Sequence, residues 1–215
     1  DFSDFKFIPG KWRVVNVPAK TWVLPPTVTP GATLTSDLDA TSADTDFFTI
    51  SETNAPQFEG AVNGVDNSGT FTFYMYENLK APKQNITNGN YALRELQTKN
   101  EITGGVPGQI YQNGEYVYAP EKGTYVIFTG ELSYTHPVDG IEQYVIADAT
   151  YCVHLGYDSA KKNVNDYSTI RNSHYTYNVT VTGVNSLIVE VENETETRPG
   201  VEGEVVSSAA KIINV

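Results

Sequence analysis

The sequence predicts an all-β fold, an antiparallel β-sandwich with one short surface helix, and three observations predict it. From Tyr175 the side chains alternate: Tyr175, Tyr177, Val179 and Val181 fall on one face, Thr176, Asn178, Thr180 and Thr182 on the other. This is the period-2 pattern of a half-buried strand. Gly183-Val184-Asn185-Ser186 is turn chemistry, and beyond it Leu187, Val189 and Val191 alternate with Glu190 and Glu192. The two runs therefore read as an antiparallel hairpin whose apolar faces point into one core. A second block covers residues 116–118, 124–134 and 142–155. There Tyr125, Ile127 and Thr129 oppose Val126 and Phe128, so both faces are largely apolar and the strand is central. Third, aromatic residues make up 12% of the chain, with 14 Tyr, a composition suited to pleated, half-exposed surfaces. A carbohydrate-stacking platform is the sharper reading of the same residues.

In chain order, residues 12–17 and 21–24 read as short strands around Pro18-Ala19. Pro25-Pro26 through Pro30-Gly31 blocks their continuation, because proline removes a ladder donor, which marks an edge. Residues 34–46 carry Asp37, Asp39, Asp44 and Asp46 but lack the glycine turn and bidentate Glu of an EF-hand, so they read as a solvated acidic loop. A short strand at 47–50 follows, and Asp66-Asn67-Ser68-Gly69 is a turn launching a stronger strand at 70–76. Helix competes at 85–101, where Ala92, Leu93, Arg94, Glu95, Leu96 and Gln97 are good helix formers and Asn88 or Asn90 can cap. Gly104-Gly105-Val106-Pro107-Gly108 ends it as a flexible loop lacking the Lys-Ser/Thr of a phosphate loop. His136-Pro137-Val138-Asp139-Gly140 supplies a turn between the strands of the second block, and 156–166 is an exposed loop leading into the hairpin.

The 215 residues, 40% apolar and 19% charged, suffice for one β-rich domain with a real core. A net charge of −12, with Lys161-Lys162 as the one adjacent basic pair, argues against nucleic acid as a partner. The single Cys152 excludes an intramolecular disulfide and a multi-thiolate metal site; in an apolar stretch, residues 144–155, it reads as a buried structural thiol. The chain as given contains no signal peptide and no transmembrane segment, so any targeting segment is removed or lies outside it.

Candidate bases for nucleophilic catalysis are His136, His154 and His174, and none lies in a nucleophile-elbow or Cys-His signature. Packing or surface roles are expected for all three, and three isolated histidines make no zinc motif. Glu190, Glu192, Glu194 and Glu196 alternate as the solvated face of a strand and its trailing loop. No catalytic residue, cofactor-binding residue or metal ligand is assigned, and no cofactor is expected.

The order R-N-S-H-Y-T-Y-N-V-T-V at 171–181, then G-V-N, an apolar strand ending V-E-V, and R-P-G-V-E-G-E-V at 198–205 resembles the fimbrillin or type V pilin superfamily of Bacteroidales. Phe71-Thr72-Phe73-Tyr74-Met75-Tyr76-Glu77-Asn78, Tyr118-Ala119-Pro120, Gly123-Thr124-Tyr125 and Trp12-Arg13-Val14-Val15-Asn16-Val17-Pro18 are also similar to that family, so the likeness spans most of the chain. It implies a transthyretin-like pilin β-sandwich over 1–215 within a longer multi-domain fimbrial protein, with 207–215 a linker or terminal strand. It also implies an exported, non-enzymatic fimbrial subunit at the outer membrane that binds other pilins, with surface glycans or proteins as adhesion partners. A carbohydrate-binding module is the alternative, and a glycan-active enzyme domain comes third. Asp158-Ser159-Ala160 looks like the O-glycosylation acceptor pattern of the same bacteria, with Ser159 as acceptor. Asn85-Ile86-Thr87, Asn178-Val179-Thr180 and Asn193-Glu194-Thr195 match the N-glycosylation pattern but carry no weight for a bacterial protein.

Overall fold

Strand formation follows the alternation of apolar residues. The computed structural model describes residues 3–21, 47–48, 58–65, 67–98, 100–101, 110–111, 115–157, 161–183, 186–195 and 208–213. The strands are β1 (Ser3–Val15), β2 (Glu59–Ala61), β3 (Asn63–Val65), β4 (Ser68–Met75), β5 (Asn100–Glu101) and β6 (Ile110–Tyr111), then β7 (Tyr125–Val138), β8 (Ile141–His154), β9 (Ser173–Gly183), β10 (Ser186–Thr195) and β11 (Ser208–Ile213). A 3-10 helix spans Tyr91–Glu95. The protein is all-β, and among the described residues every strand pairing is antiparallel except that of β11 with β9. One sheet runs β2-β1-β7-β8 and a second runs β10-β9-β11-β4-β3; β5 and β6 form a small ribbon.

The two larger sheets contribute to one core. Phe7, Trp12 and Val14 of β1, Val126 and Phe128 of β7, and Tyr151 and Val153 of β8 are buried in the same cluster as Phe71, Phe73 and Met75 of β4. Tyr175, Tyr177, Val179 and Val181 of β9 and Val189 and Val191 of β10 complete it. Trp12 stacks on Phe71 with ring centroids 4.5 Å apart and planes 6° from parallel. Each large apolar side chain so buried contributes roughly 1.5–3 kcal/mol.

The hairpin of β9 and β10 has the inward and outward faces that alternation assigns. Tyr175, Tyr177, Val179 and Val181 are buried, whereas Thr180, Thr182, Glu190 and Glu192 are exposed. β7 is central, lying between β1 and β8.

Other expectations are corrected. β1 begins at Ser3 rather than Trp12 and is no edge over Lys11–Arg13, where β2 and β7 flank it. A register shift between Pro9 and Lys11 hides its first half from a plain alternation pattern. Phe7 and Trp12 are five residues apart, so plain alternation would turn them to opposite faces; the extra residue at the shift resets the phase and both point inward. Thr21 lies in no strand, and residues 22–24 lie outside the described residues. Of the short strand expected at 47–50, Phe47 makes an isolated bridge to Pro18, and residues 49–50 lie outside the described residues. Tyr116 likewise makes an isolated bridge, to Gln97, in place of a strand at 116–118. The expected five-residue turn at 136–140 shrinks to Asp139-Gly140, because β7 runs on to Val138, which pairs with Ile141. Both turn residues have positive φ, 53° and 79°, as the tight hairpin turn requires. The acidic loop at 34–46, the glycine run at 104–108 and Asp158-Ser159-Ala160 lie outside the described residues.

The burial pattern of β9 generates a prediction. Val179→Asp places an unpaired charge in the core and should cost about 3–5 kcal/mol, whereas Thr180→Asp, beside exposed Ile188 of β10, should change stability by less than about 1 kcal/mol. Urea denaturation midpoints of the two variants and the parent check this.

Candidate functional site

Two features stand apart from ordinary core packing, and the first is the terminal strand. β11 pairs antiparallel with β4, from Ser208↔Met75 to Ile213↔Thr70, and parallel with β9, from Ala209↔His174 to Ile212↔Tyr177. β10 ends with Thr195 opposite Ser173, and β11 starts alongside the same end of β9. The last strand of the described chain therefore fills an interior position, between strands that carry Phe71, Phe73, Tyr175 and Tyr177 into the core. Without it, β4 and β9 would each expose a row of unpaired backbone groups.

The second feature lies where β8 meets the 3-10 helix. Cys152 and His154, two residues apart on one strand, share a face opposite to that of Tyr151 and Val153. Tyr116, Tyr125 and His154 pack there, with ring centroids 4.5 Å (Tyr116–His154) and 4.9 Å (Tyr125–His154) apart. The chain then turns sharply at Gly156, whose φ of +100° favours glycine; a Cβ there would sit 2.4 Å from backbone atoms of Tyr167 and Ser168.

Asn90 caps the helix, its side chain accepting the Ala92 N–H at 3.0 Å. The helix projects Arg94 and Glu95 inward. Arg94 is fully buried; its Nη1 donates to the carbonyls of Val164 (2.6 Å) and Asp166 (2.8 Å) and its Nη2 to those of Leu155 (3.1 Å) and His154 (3.4 Å). Its guanidinium carbon lies 3.9 Å from the Tyr167 ring centroid, a cation–π contact. Glu95 accepts the backbone N–H of His154 through Oε1 at 2.6 Å, and its Oε2 lies 2.6 Å from His154 Nδ1. Tyr116 Oη donates to Cys152 Sγ at 3.0 Å.

These contacts set the protonation states. Burial pushes the Glu95 carboxyl up, but the charge and hydrogen bonds of His154, with Arg94 behind, outweigh it and hold the pKa below the ordinary value. With Glu95 ionised, the stabilisation from this depressed pKa is fully present above the ordinary Glu value and is lost as pH falls through the depressed one. Cys152 is half-buried as a residue, yet its Sγ meets Tyr116 Oη. Burial first, and then the Glu95 charge, push the thiol well above its usual pKa. A nucleophilic cysteine needs the opposite shift. Burial likewise raises Tyr167, to about 12. Sγ of Cys152, a ring nitrogen of His154 and a carboxylate oxygen of Glu95 all lie within 4.8 Å of one another.

This arrangement departs from the sequence reading in three ways. Cys152 faces the Glu95–His154 cluster instead of the core; Arg94 and Glu95, expected on a surface helix, are turned inward on a single 3-10 turn; and of the loop expected to be exposed at 156–166, residues 161–163 are exposed but Val164 is buried and the Val164 and Asp166 carbonyls accept from Arg94. His136 on β7 and His174 on β9 do not join the cluster. The legible signal was the Cys152-Val153-His154 spacing, since residues two apart on a strand face the same way.

A groove of about 680 Å³ crosses β2, β1 and β7, lined by Lys11, Arg13, Glu59, Ala61, Ile127 and Thr129 among others. Comparison with known proteins gives no match to any family model, curated protein or solved structure.

The buried guanidinium generates a second prediction. Arg94→Met leaves four carbonyls without their donor, and unsatisfied buried groups cost about 1–3 kcal/mol each. The variant should lose at least about 3 kcal/mol of stability. Arg94→Lys, with no planar fork, should recover only part of it. Thermal and urea unfolding measure both.

Proposed function

We propose that this chain is a structural and adhesive subunit of a cell-surface fimbria, exported to the outer membrane and joined to neighbouring pilins by strand complementation. In this reading the two sheets form the sandwich of a transthyretin-like pilin domain. The observation that carries the proposal is the position of β11, a strand from the end of the described chain that sits inside a sheet. A segment held mainly through two ladders can be exchanged for the same kind of segment from another subunit, because the backbone bonds are alike whichever chain supplies them. The resemblance of residues 171–205 and 71–78 to fimbrillins supports the same reading.

A second edge favours assembly as well. β8 is 14 residues long and, among the described residues, is the last strand of its sheet. Its first half exposes Ile141, Tyr144 and Ile146, which lie well beyond the core. Apolar groups along an unpaired edge are what a β-addition partner recognises.

The rival reading, a carbohydrate-binding module, is favoured by the groove at Lys11, Arg13, Glu59 and Thr129, whose polar and charged groups suit a hydroxylated ligand. Trp12 is a poor stacking platform there, since its ring is already stacked on Phe71. A glycan array with the intact domain separates the two readings.

The assembly reading is tested by ending the chain at residue 206 and adding peptides that cover 207–215 or the terminal segments of co-encoded pilins. Truncation should lower the melting temperature, and a complementary peptide should bind and restore it. A truncated chain as stable as the parent, or one that no such peptide binds, contradicts strand complementation through this position.

A further inference from the structure

We propose that Glu95, Cys152 and His154 form a binding site for a borderline-soft divalent cation of the zinc class, which bolts the 3-10 helix to the end of β8. Nothing in the fimbrial reading calls for such a site.

The donor set is one thiol sulfur, one imidazole nitrogen and one carboxylate oxygen, the three ligand types that zinc takes most readily. Two donors come from one strand at i and i+2, which brings both to one face without backbone strain. The third comes from a separate element fixed by Arg94, whose four carbonyl contacts orient the helix that carries Glu95. Tetrahedral ligands at zinc distances stand roughly 3.3–3.8 Å from one another. Here the donor atoms lie within 4.8 Å, with Glu95 Oε2 and His154 Nδ1 at 2.6 Å. Loading opens that contact by about an ångström and draws Sγ in, which side-chain rotation can supply.

The chemistry balances. The cation forms bonds to the carboxylate, Sγ and Nδ1; the thiol proton leaves to solvent, the proton that Nδ1 holds toward Glu95 is given up, and the imidazole ligates as the neutral tautomer with its hydrogen on Nε2. Carboxylate and thiolate together neutralise the dication. Arg94 adds a positive charge nearby, but its guanidinium is turned to the carbonyls and the Tyr167 ring. Tyr116 Oη donates to Sγ at 3.0 Å, a hydrogen bond that a coordinated thiolate can keep, and a water supplies the fourth ligand. The rings of Tyr116 and Tyr125 pack against the His154 imidazole and help fix its orientation. Because the site joins two elements, loading stabilises the fold by mass action.

The chain's single cysteine makes the test unambiguous. Cobalt(II) added to the intact chain should produce a thiolate-to-cobalt charge-transfer absorption that zinc abolishes, and zinc should slow thiol labelling and raise the melting temperature. Cys152→Ser should remove the band and the thermal shift. Glu95→Gln and His154→Gln should each weaken cobalt binding about tenfold or more, with circular dichroism confirming that they fold. If His154→Gln fails to fold, Glu95→Gln and the three parent readouts still decide. No charge-transfer band and an unchanged labelling rate with zinc would overturn the proposal. So would full affinity in Glu95→Gln.

Discussion

Trp12 and Phe71 lie face to face, one on β1 and the other on β4, and the joining of the two sheets depends on contacts of this kind. Phe73 flanks the indole at 5.9 Å, and Phe7 packs edge-on against Tyr151 at 5.3 Å. Such aromatic contacts add about 0.5–1.5 kcal/mol each beyond the area they bury. They demand that β1 present both Phe7 and Trp12 inward, which the irregularity between Pro9 and Lys11 permits. The bulge is thus a condition of the core.

Several buried polar side chains lie where the strands end. Asn78 is fully buried where β4 leaves its sheet, bridging Thr169 through its backbone and donating from its side chain to the Lys122 carbonyl and Thr124 Oγ1. Arg94 performs the same service for the segment around Val164 and Leu155. These side chains give buried backbone groups the partners that a ladder does not supply. The Cys152 cluster depends on that arrangement: Glu95 reaches His154 from the helix that Arg94 anchors.

What was legible in the sequence follows from which signals are local. The hairpin of β9 and β10 could be read because unbroken alternation over Tyr175–Val181 and the turn-type residues that follow it are written in adjacent residues. The first half of β1 could not, because Gly10 interrupts its phase and Pro9 argues against a strand. The Asp139-Gly140 turn was visible, yet His136-Pro137 was absorbed into it. Pro137 in fact pairs with Glu142 as part of β7. Arg94 and Glu95 have high helix propensity, which says nothing of the direction they face. Their role depends on carbonyls some 60 to 70 residues away in sequence, and no local pattern encodes that. The tail at 208–213 alternates weakly, and its place between β4 and β9 is a property of the whole sheet.

Native-state hydrogen exchange shows whether β11 lies between β4 and β9 in solution. Amides should be compared in the full chain and in a chain ending at residue 206. In the shortened chain protection should fall along Thr70–Met75 and along His174–Tyr177, the stretches registered with β11, while Val126–Leu132 and Tyr151–Val153 in the other sheet keep theirs. Unchanged protection along β4 and β9 would contradict that placement, because the tail would then not be the strand between them.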